Sequence, residues 1–266
     1  MRLRFVKMHG AGNDFAMFDD RSGAFPSDPR IIAAIAPRGT GIGCEGVILV
    51  QKSDRADFRM RFFNPDGSEA DMCGNGARCV AAFAREIGAA PGDAMRFETR
   101  AGDVCAEIVG SGLVRVALPD PRDLGENFVN TGVPHAIVPV ADVTAADVEG
   151  EGRRIRRSAR FAPEGTNVDF VEYRPPRSLS IRTYERGVEA ETGACGTGSV
   201  AAALVGVAQH ALSFPVRVET ALGYELVVDG SWDGRRFSRV TLAGPVARVF
   251  DGFVDVSTHT MSRAEG

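Results

Sequence analysis

No apolar run in this 266-residue chain approaches the roughly 20 residues that span a bilayer. The longest stretch free of Asp, Glu, Lys and Arg, Thr192–Val216, is interrupted by glycines, Gln209, His210 and Pro215. The first ten residues carry Arg2, Arg4 and Lys7, so a signal-peptide core is missing and a cytoplasmic location is expected, with no membrane partner. An excess of charge is missing too. With 31 Lys and Arg against 35 Asp and Glu, the net charge of −4 lacks the footprint of a nucleic-acid binder. The single basic run, Arg153–Arg157 with Arg160, follows the acidic stretch Asp147–Glu151 and reads as a solvated face of mixed charge.

The familiar metal and nucleotide signatures are also absent. The four histidines (His9, His135, His210, His259) are scattered, and neither C-x-x-C nor H-E-x-x-H occurs, so no metal site is expected. Five cysteines, an odd number in a chain of this length, point to reduced thiols rather than a disulfide framework. Gly41, Gly43 and Gly46 spell G-x-G-x-x-G, but a dinucleotide site needs a strand before the glycines and a helix after them. Here the order is reversed. Ile31–Ala36, begun by Ser27, Asp28 and Pro29, reads as a short helix and Val47–Val50 as a strand.

What is present is an internal repeat. Cys73-Gly-Asn-Gly-Ala resembles Cys195-Gly-Thr-Gly-Ser at an offset of 195 − 73 = 122, and Glu69 and Glu191 each stand four residues before their cysteine. Arg96-Phe-Glu-Thr99 answers Arg217-Val-Glu-Thr220, and Arg115-Val-Ala-Leu118 answers Arg239-Val-Thr-Leu242. Three matches in one order imply two pseudo-symmetric halves of α+β class. The expected domains are 1–121, carrying Cys73, and 122–248, carrying Cys195, with the tail 249–266 packing back on the first half. The first half reads as strands Phe58–Phe63, Ala94–Thr99, Val104–Val109 and Val114–Leu118 around a helix from Gly74 to Ile87 that Gly88 would cap. In the second half a helix spans Gly196–Gln209, followed by strands Val216–Thr220, Glu225–Val228 and Arg236–Leu242; a last strand is expected at Val246–Phe250.

Each repeated cysteine thus stands at the start of a helix, where unpaired N–H groups and the positive dipole end lower a thiol pKa from about 8.5 toward neutrality. The glycines leave backbone amides open to an anion such as a carboxylate. Two such starts around one carboxylate would place a sulfur on either side of the attached carbon. That geometry suits removal of an α-hydrogen from one face and return of a proton to the other, with the carbanionic charge held in the carboxylate. No electron-sink cofactor is then required. Cys44, Cys79 and Cys105 lack this context and read as structural.

The chain resembles the diaminopimelate epimerases, pyridoxal-phosphate-independent enzymes that interconvert LL- and meso-diaminopimelate. Lys7–Phe15, Phe63–Arg78, Pro134-His135, Gly165–Val168, Tyr184–Gly187 and Glu191–Thr197 carry the resemblance, in family order along nearly the whole chain. It implies two α/β domains, each a mostly antiparallel sheet wrapped around a central helix, with the active site in the interdomain cleft, and a homodimer. Carried over by position, Cys195 accepts a proton from the LL substrate and Cys73 donates one. Gly74, Asn75, Gly196 and Thr197 hold the reacting carboxylate. Asn13, Asn64, Asn167, Glu185 and Arg186 bind the remaining groups, Arg186 through its bidentate fork. His135 and Glu185 tune the cysteines. The chain departs from the family pattern at Val133, where many members have Asn, at Gly46, where some have Gln, and at Glu45, commonly Asp. The competing readings are a cofactor-independent racemase of another amino acid (proline-type or basic), a thiol-redox protein using the two cysteines, and a nonenzymatic ligand-binding protein.

Overall fold

The computed structural model describes residues 1–26 and 28–256; Ser27, His259 and the tail beyond Val256 lie outside the described residues. The chain forms two compact units, Met1–Val116 with the chain from Pro245 onward, and Ala117–Gly244. The first contains β1 (Arg2–Gly10), β2 (Asn13–Asp19), α1 (Pro29–Ile35), β3 (Gly46–Gln51), β4 (Phe58–Phe63), β5 (Glu69–Ala70), α2 (Gly74–Glu86), β6 (Ala94–Thr99), β7 (Gly102–Gly110) and β8 (Leu113–Ala117). The second contains β9 (Arg122–Gly125), β10 (Phe128–Asn130), β11 (Pro134–Pro139), α3 (Val148–Arg156), β12 (Asn167–Arg174), β13 (Ser178–Glu185), β14 (Ala190–Thr192), α4 (Gly196–Gln209), β15 (Val216–Glu219) and β16 (Glu225–Trp232). One 19-residue strand, β17 (Phe237–Asp255), ends the described chain.

Strand pairing recurs in the same order in both units. In the first, β1 and β2 are antiparallel, β2 and β3 parallel, β3 and β4 antiparallel, β4 and β6 parallel, and β6–β7–β8 antiparallel. In the second, the same alternation runs through β10, β11, β12, β13, β15, β16 and the first part of β17. A short strand, β5 or β14, precedes each cysteine. In the first unit β8 returns to β17, Val246 N donating to Gly112 O at 2.8 Å, and β17 pairs with β1, which closes the ring.

Each sheet turns its apolar side chains onto one helix. Helix α2 packs against β1–β4 and β7, and its Ala77, Val80, Ala81 and Ala84 are all buried. Its end is a hydrogen-bonded left-handed cap: Gly88 has φ of +68°, Ala89 N reaches Ala84 O at 2.8 Å, and Gly88 N reaches Arg85 O at 3.3 Å. Helix α4 packs against β10–β13, β15 and β16 and is buried from Gly198 through Gly206. Such all-round burial explains why α4 shows no polar stripe.

The structure revises two local expectations. Helix α1 begins at Pro29 rather than Ile31, with Asp28 as its cap accepting from Arg30 N at 2.9 Å. The two expected strands around Gly244-Pro245 are one strand, β17. Pro245 sits where β17 changes partner from β16 to β1, so its missing N–H costs no ladder bond, and its carbonyl accepts from Ala11 N at 3.2 Å.

Gly46, one of the three glycines of the rejected nucleotide motif, opens β3 against a wall of aromatic rings. A Cβ there would meet Phe62 at 2.5 Å and Phe15 at 3.2 Å. Gly46→Ala is therefore expected to destabilise the protein by about 1–3 kcal/mol, the usual cost of overpacking. Urea unfolding reads this directly, and an unchanged midpoint would contradict the packing argument.

Candidate active site

Both repeated cysteines are helix N-caps. Cys73 (φ −134°, ψ 123°) and Cys195 (φ −106°, ψ 110°) are extended, and their carbonyls accept the first helical bonds, from Ala77 N at 2.7 Å and Ser199 N at 2.9 Å. The amides of Gly74–Gly76 and Gly196–Gly198 are therefore outside the helical ladders, as at any helix start. Gly74 has open space where a Cβ would stand. Just before each cysteine a bidentate ion pair pins the short strand: Arg61 with Glu69 at 2.9 Å, and Arg182 with Glu191 at 2.7 Å. The repeated glutamates thus hold the backbone that delivers the sulfurs.

The strands behind the two cysteines differ in chemistry at matching registers. In the first unit, parallel pairing sets Phe15 beside Gly46, and Ile48 lies opposite Phe62. The equivalent pairs in the second unit are His135 beside Asn167, and Asp169 opposite Thr183. Four apolar or side-chain-free positions correspond to four polar ones.

These polar residues form a buried chain behind Cys195. His135 and Asp169 are fully buried, with Nδ1 at 2.7 Å from Asp169 Oδ2. Thr183 Oγ1 donates to the other carboxylate oxygen at 2.7 Å. With the carboxylate accepting from Nδ1–H, His135 Nε2 is left as an acceptor, 3.1 Å from Thr197 Oγ1. Thr197 Oγ1 is in turn 3.4 Å from Cys195 Sγ, which also accepts from Gly198 N at 3.4 Å. A thiol on Cys195 thus completes a directional chain, S–H to Thr197, O–H to His135, N–H to Asp169. Asp169 escaped the sequence reading because an isolated Asp within a strand carries no motif; only cross-strand register puts it behind the cysteine.

Helix-start stabilisation does not prevail at Cys195. Burial pushes its thiol up, aided by the carboxylates of Glu185 and Asp169, against the opposing pull of the Thr197 hydroxyl and Gly198 N–H. This shift runs opposite to the one expected from the helix start. Cys79 is pushed up by burial as well, and Cys44 in the same direction, in keeping with structural roles; Cys105 is exposed on β7. None of the five cysteines forms a disulfide among the described residues.

The other sequence-selected residues fall into three groups. Around Cys73, Asn13 Oδ1 lies 3.7 Å from the sulfur and accepts from Asn75 Nδ2 at 3.3 Å, while Asn13 Nδ2 donates to Glu45. Asn64 and Asn167 are engaged within the protein. Asn64 closes a turn on Ser68 (3.1 Å), and buried Asn167 accepts from Arg186 N at 2.8 Å, fixing the chain that follows β13. Arg186 itself is half-buried, its guanidinium touching only the Gly165 carbonyl at 3.4 Å and pairing with no carboxylate among the described residues. Val133 lies in the tight turn before β11, its carbonyl accepting from Thr131 N at 3.1 Å. No cluster suited to a metal ion occurs among the described residues, and none of the described helices is long and apolar enough to cross a membrane.

Two mixed-sheet units, each with a buried central helix, define an α+β fold that recurs in solved structures. A phenazine biosynthesis protein of the PhzF family from Bacillus anthracis superposes with a TM-score of 0.74 at 17% identity, covering 96% of this chain and 99% of that one. A probable proline racemase from Agrobacterium radiobacter K84, with bound carbonate, superposes at 0.70 and 17% identity over 95% of this chain and 93% of its own. The sequence profile of the diaminopimelate epimerase family matches residues 5–122 and 127–246. Diaminopimelate epimerase from Chlorobaculum tepidum is 42% identical over 93% of this chain and 99% of that protein, and that from Aquifex aeolicus 41% over 94% and 97%. The chain belongs to the diaminopimelate epimerase family and is an isomerase of the racemase and epimerase class.

The raised Cys195 thiol has a direct reactivity consequence. In ligand-free protein at neutral pH, iodoacetamide should modify Cys195 far more slowly than exposed Cys105, and the rate should climb only above the ordinary thiol range near pH 8.5. Peptide mapping after timed alkylation separates the two sites. Equal rates at neutral pH would mean that Cys195 rests as a thiolate.

Proposed function

We propose that this protein interconverts LL- and meso-diaminopimelate without pyridoxal phosphate, with Cys73 and Cys195 acting on opposite faces of one α-carbon. The observation that carries the reading is the duplicated one: each half presents a cysteine at the cap of a buried helix, beside first-turn amides that lie outside the helical ladder. Those amides, from Gly74 and Asn75 in one half and Gly196 and Thr197 in the other, suit a carboxylate whose charge grows as the α-proton leaves. The half-buried guanidinium of Arg186 suits the distal carboxylate, and Asn13, Asn64, Asn167 and Glu185 are proposed to complete recognition. His135 and Glu185 are proposed to tune Cys195, the first through Thr197. The product would feed lysine synthesis and, where used, peptidoglycan cross-linking. A homodimer in the cytoplasm is the accompanying expectation.

We propose that the form with Cys73 as thiolate and Cys195 as thiol takes the substrate whose α-hydrogen faces Cys73, and that the form with the proton exchanged takes the other. The resemblance assigns Cys195 as acceptor from the LL substrate and Cys73 as donor. In the first form the α C–H electron pair passes into the carboxylate, the proton goes to Cys73 sulfur, and the Cys195 S–H proton completes the inverted centre; in the second form the two sulfurs exchange these roles. Thr197 and His135 then offer a route by which Cys195 regains its proton.

Val133, which lacks the amide of the more common Asn, favours a second reading in which the same chemistry serves another amino acid. One experiment separates them. Reduced protein without pyridoxal phosphate is incubated with LL-diaminopimelate in D2O, and α-deuterium and meso product are followed by NMR. Deuterium should appear in the inverted product, and Cys73→Ala and Cys195→Ala should each lower its formation at least about 100-fold, the usual contribution of a positioned acid or base. Exchange with a monofunctional amino acid but not with diaminopimelate would establish the second reading. Silence across a panel of amino acids would overturn both.

A further inference from the structure

One buried charge has no part in the mechanism just described. Arg78, in the second turn of α2, is 0% exposed, and among the described residues no carboxylate pairs with it. Its guanidinium donates to Asn75 Oδ1 at 2.7 Å and to the Gly74 carbonyl at 3.4 Å, and its Nε has no partner among the described residues. Burying a cation costs several kcal/mol unless something nearby repays it. Burial pushes the guanidinium pKa down, while the neighbouring thiols of Cys79 and Cys73 oppose that shift. An arginine nevertheless keeps its proton in proteins.

The hydrogen bonds of Arg78 propagate. A guanidinium only donates, so Asn75 must turn its oxygen toward Arg78 and its nitrogen away. That nitrogen meets Asn13 Oδ1 at 3.3 Å, which turns Asn13 Nδ2 toward Glu45, an acceptor. A cation at one end and a carboxylate at the other thus set both amides in one orientation, and the atom presented to Cys73 Sγ is Asn13 Oδ1, at 3.7 Å. The matching position in the second half is Val200, five residues after Cys195 as Arg78 is five after Cys73. The cation is confined to one half, and the His135–Asp169 pair to the other.

We propose that Arg78 is the positioning residue of the Cys73 half-site, orienting Asn75 and Asn13 and supplying the buried positive charge that favours the thiolate of Cys73. The proposal rests on the two-cysteine reading above and deepens it: one half is built to hold a thiolate, the other a thiol. Other ionisable groups surround the same helix start. Strand β1 brings His9 and Lys7, β2 brings Asp14, which pairs with Lys7 at 2.7 Å, and Glu45 and Arg38 approach from the segment before β3. Cys79 lies on α2 itself. From β3 and β4 the neighbours are apolar, Ile48 and Met60, as are the buried residues of β7, Val104 and Ala106. Of the cations, Lys7 is neutralised by Asp14, and Arg38 is largely exposed near Asp14 and Glu45. Arg78 alone among them is both buried and without a carboxylate.

The test uses full-length R78K, R78Q and R78M, each checked for folding by circular dichroism. Alkylation of Cys73 by iodoacetamide is followed by peptide mapping across the thiol titration range. We expect the midpoint to rise by about one pH unit in R78Q and R78M, equivalent to about tenfold slower alkylation at neutral pH. R78K should stay close to wild type, and in the direction in which Cys73 is the base the low-pH limb of the kcat/KM profile should move with the midpoint while KM changes little. An unchanged midpoint in a folded neutral variant, or failure of R78K to restore it, would overturn the proposal. So would folding of R78K alone, since the charge would then serve stability rather than the thiol. Alkylation needs no substrate, so it reads this proposal even if the D2O experiment refutes the epimerase.

Discussion

A helix cannot pair its own first-turn N–H groups, and a helix buried along its length must still bring that end to something polar. Helices α2 and α4 are enclosed by their sheets, and each begins at a cysteine beside glycine: the Cys195 sulfur accepts from Gly198 N, whereas Cys73 makes no side-chain capping bond. The rest of the architecture serves to place those two ends. The sheets bury the helix bodies, the Arg61–Glu69 and Arg182–Glu191 pairs pin the approaching chain, Gly74 leaves space at its helix start, and Gly76 and Gly198 let Ile48 and Asp169 pack close.

Duplication built two alike helix starts, and the strands behind them then made the starts unlike. Phe15, Gly46, Ile48 and Phe62 fill the first unit at the registers where His135, Asn167, Asp169 and Thr183 form a polar network in the second. The aromatic packing that forbids a side chain at Gly46 is thus the counterpart of the space that Asn167 occupies. Burial and nearby carboxylates push the Cys195 thiol up, while the helix that Cys73 caps carries a buried guanidinium, Arg78, with no carboxylate partner among the described residues.

Local signals carried far along the chain. The spans of α2 and α4, the strands at Phe58–Phe63 and Ala94–Thr99, and the cap at Gly88 agree closely with sequence periodicity and glycine placement. Agreement fails where a long-range pairing outweighs a local signal. Gly244-Pro245 reads as a break, yet β17 runs through it because its two ends are paired to different strands. Asn64 and Asn167 read equally as ligands or turn formers; in the fold their polar atoms brace the chain beside them.

The sequence by itself determined the repeat, the two cysteines at helix starts, and the family, because these depend on residue types at short fixed spacings. The protonation of Cys195, the Asp169–His135–Thr197 chain and the isolation of Arg78 were decided only by the tertiary structure. Desolvation and hydrogen-bond partnership depend on which strands lie against the helix. A helix start favours an anion wherever it occurs, but whether a thiol there keeps its proton is settled by what the fold packs around it.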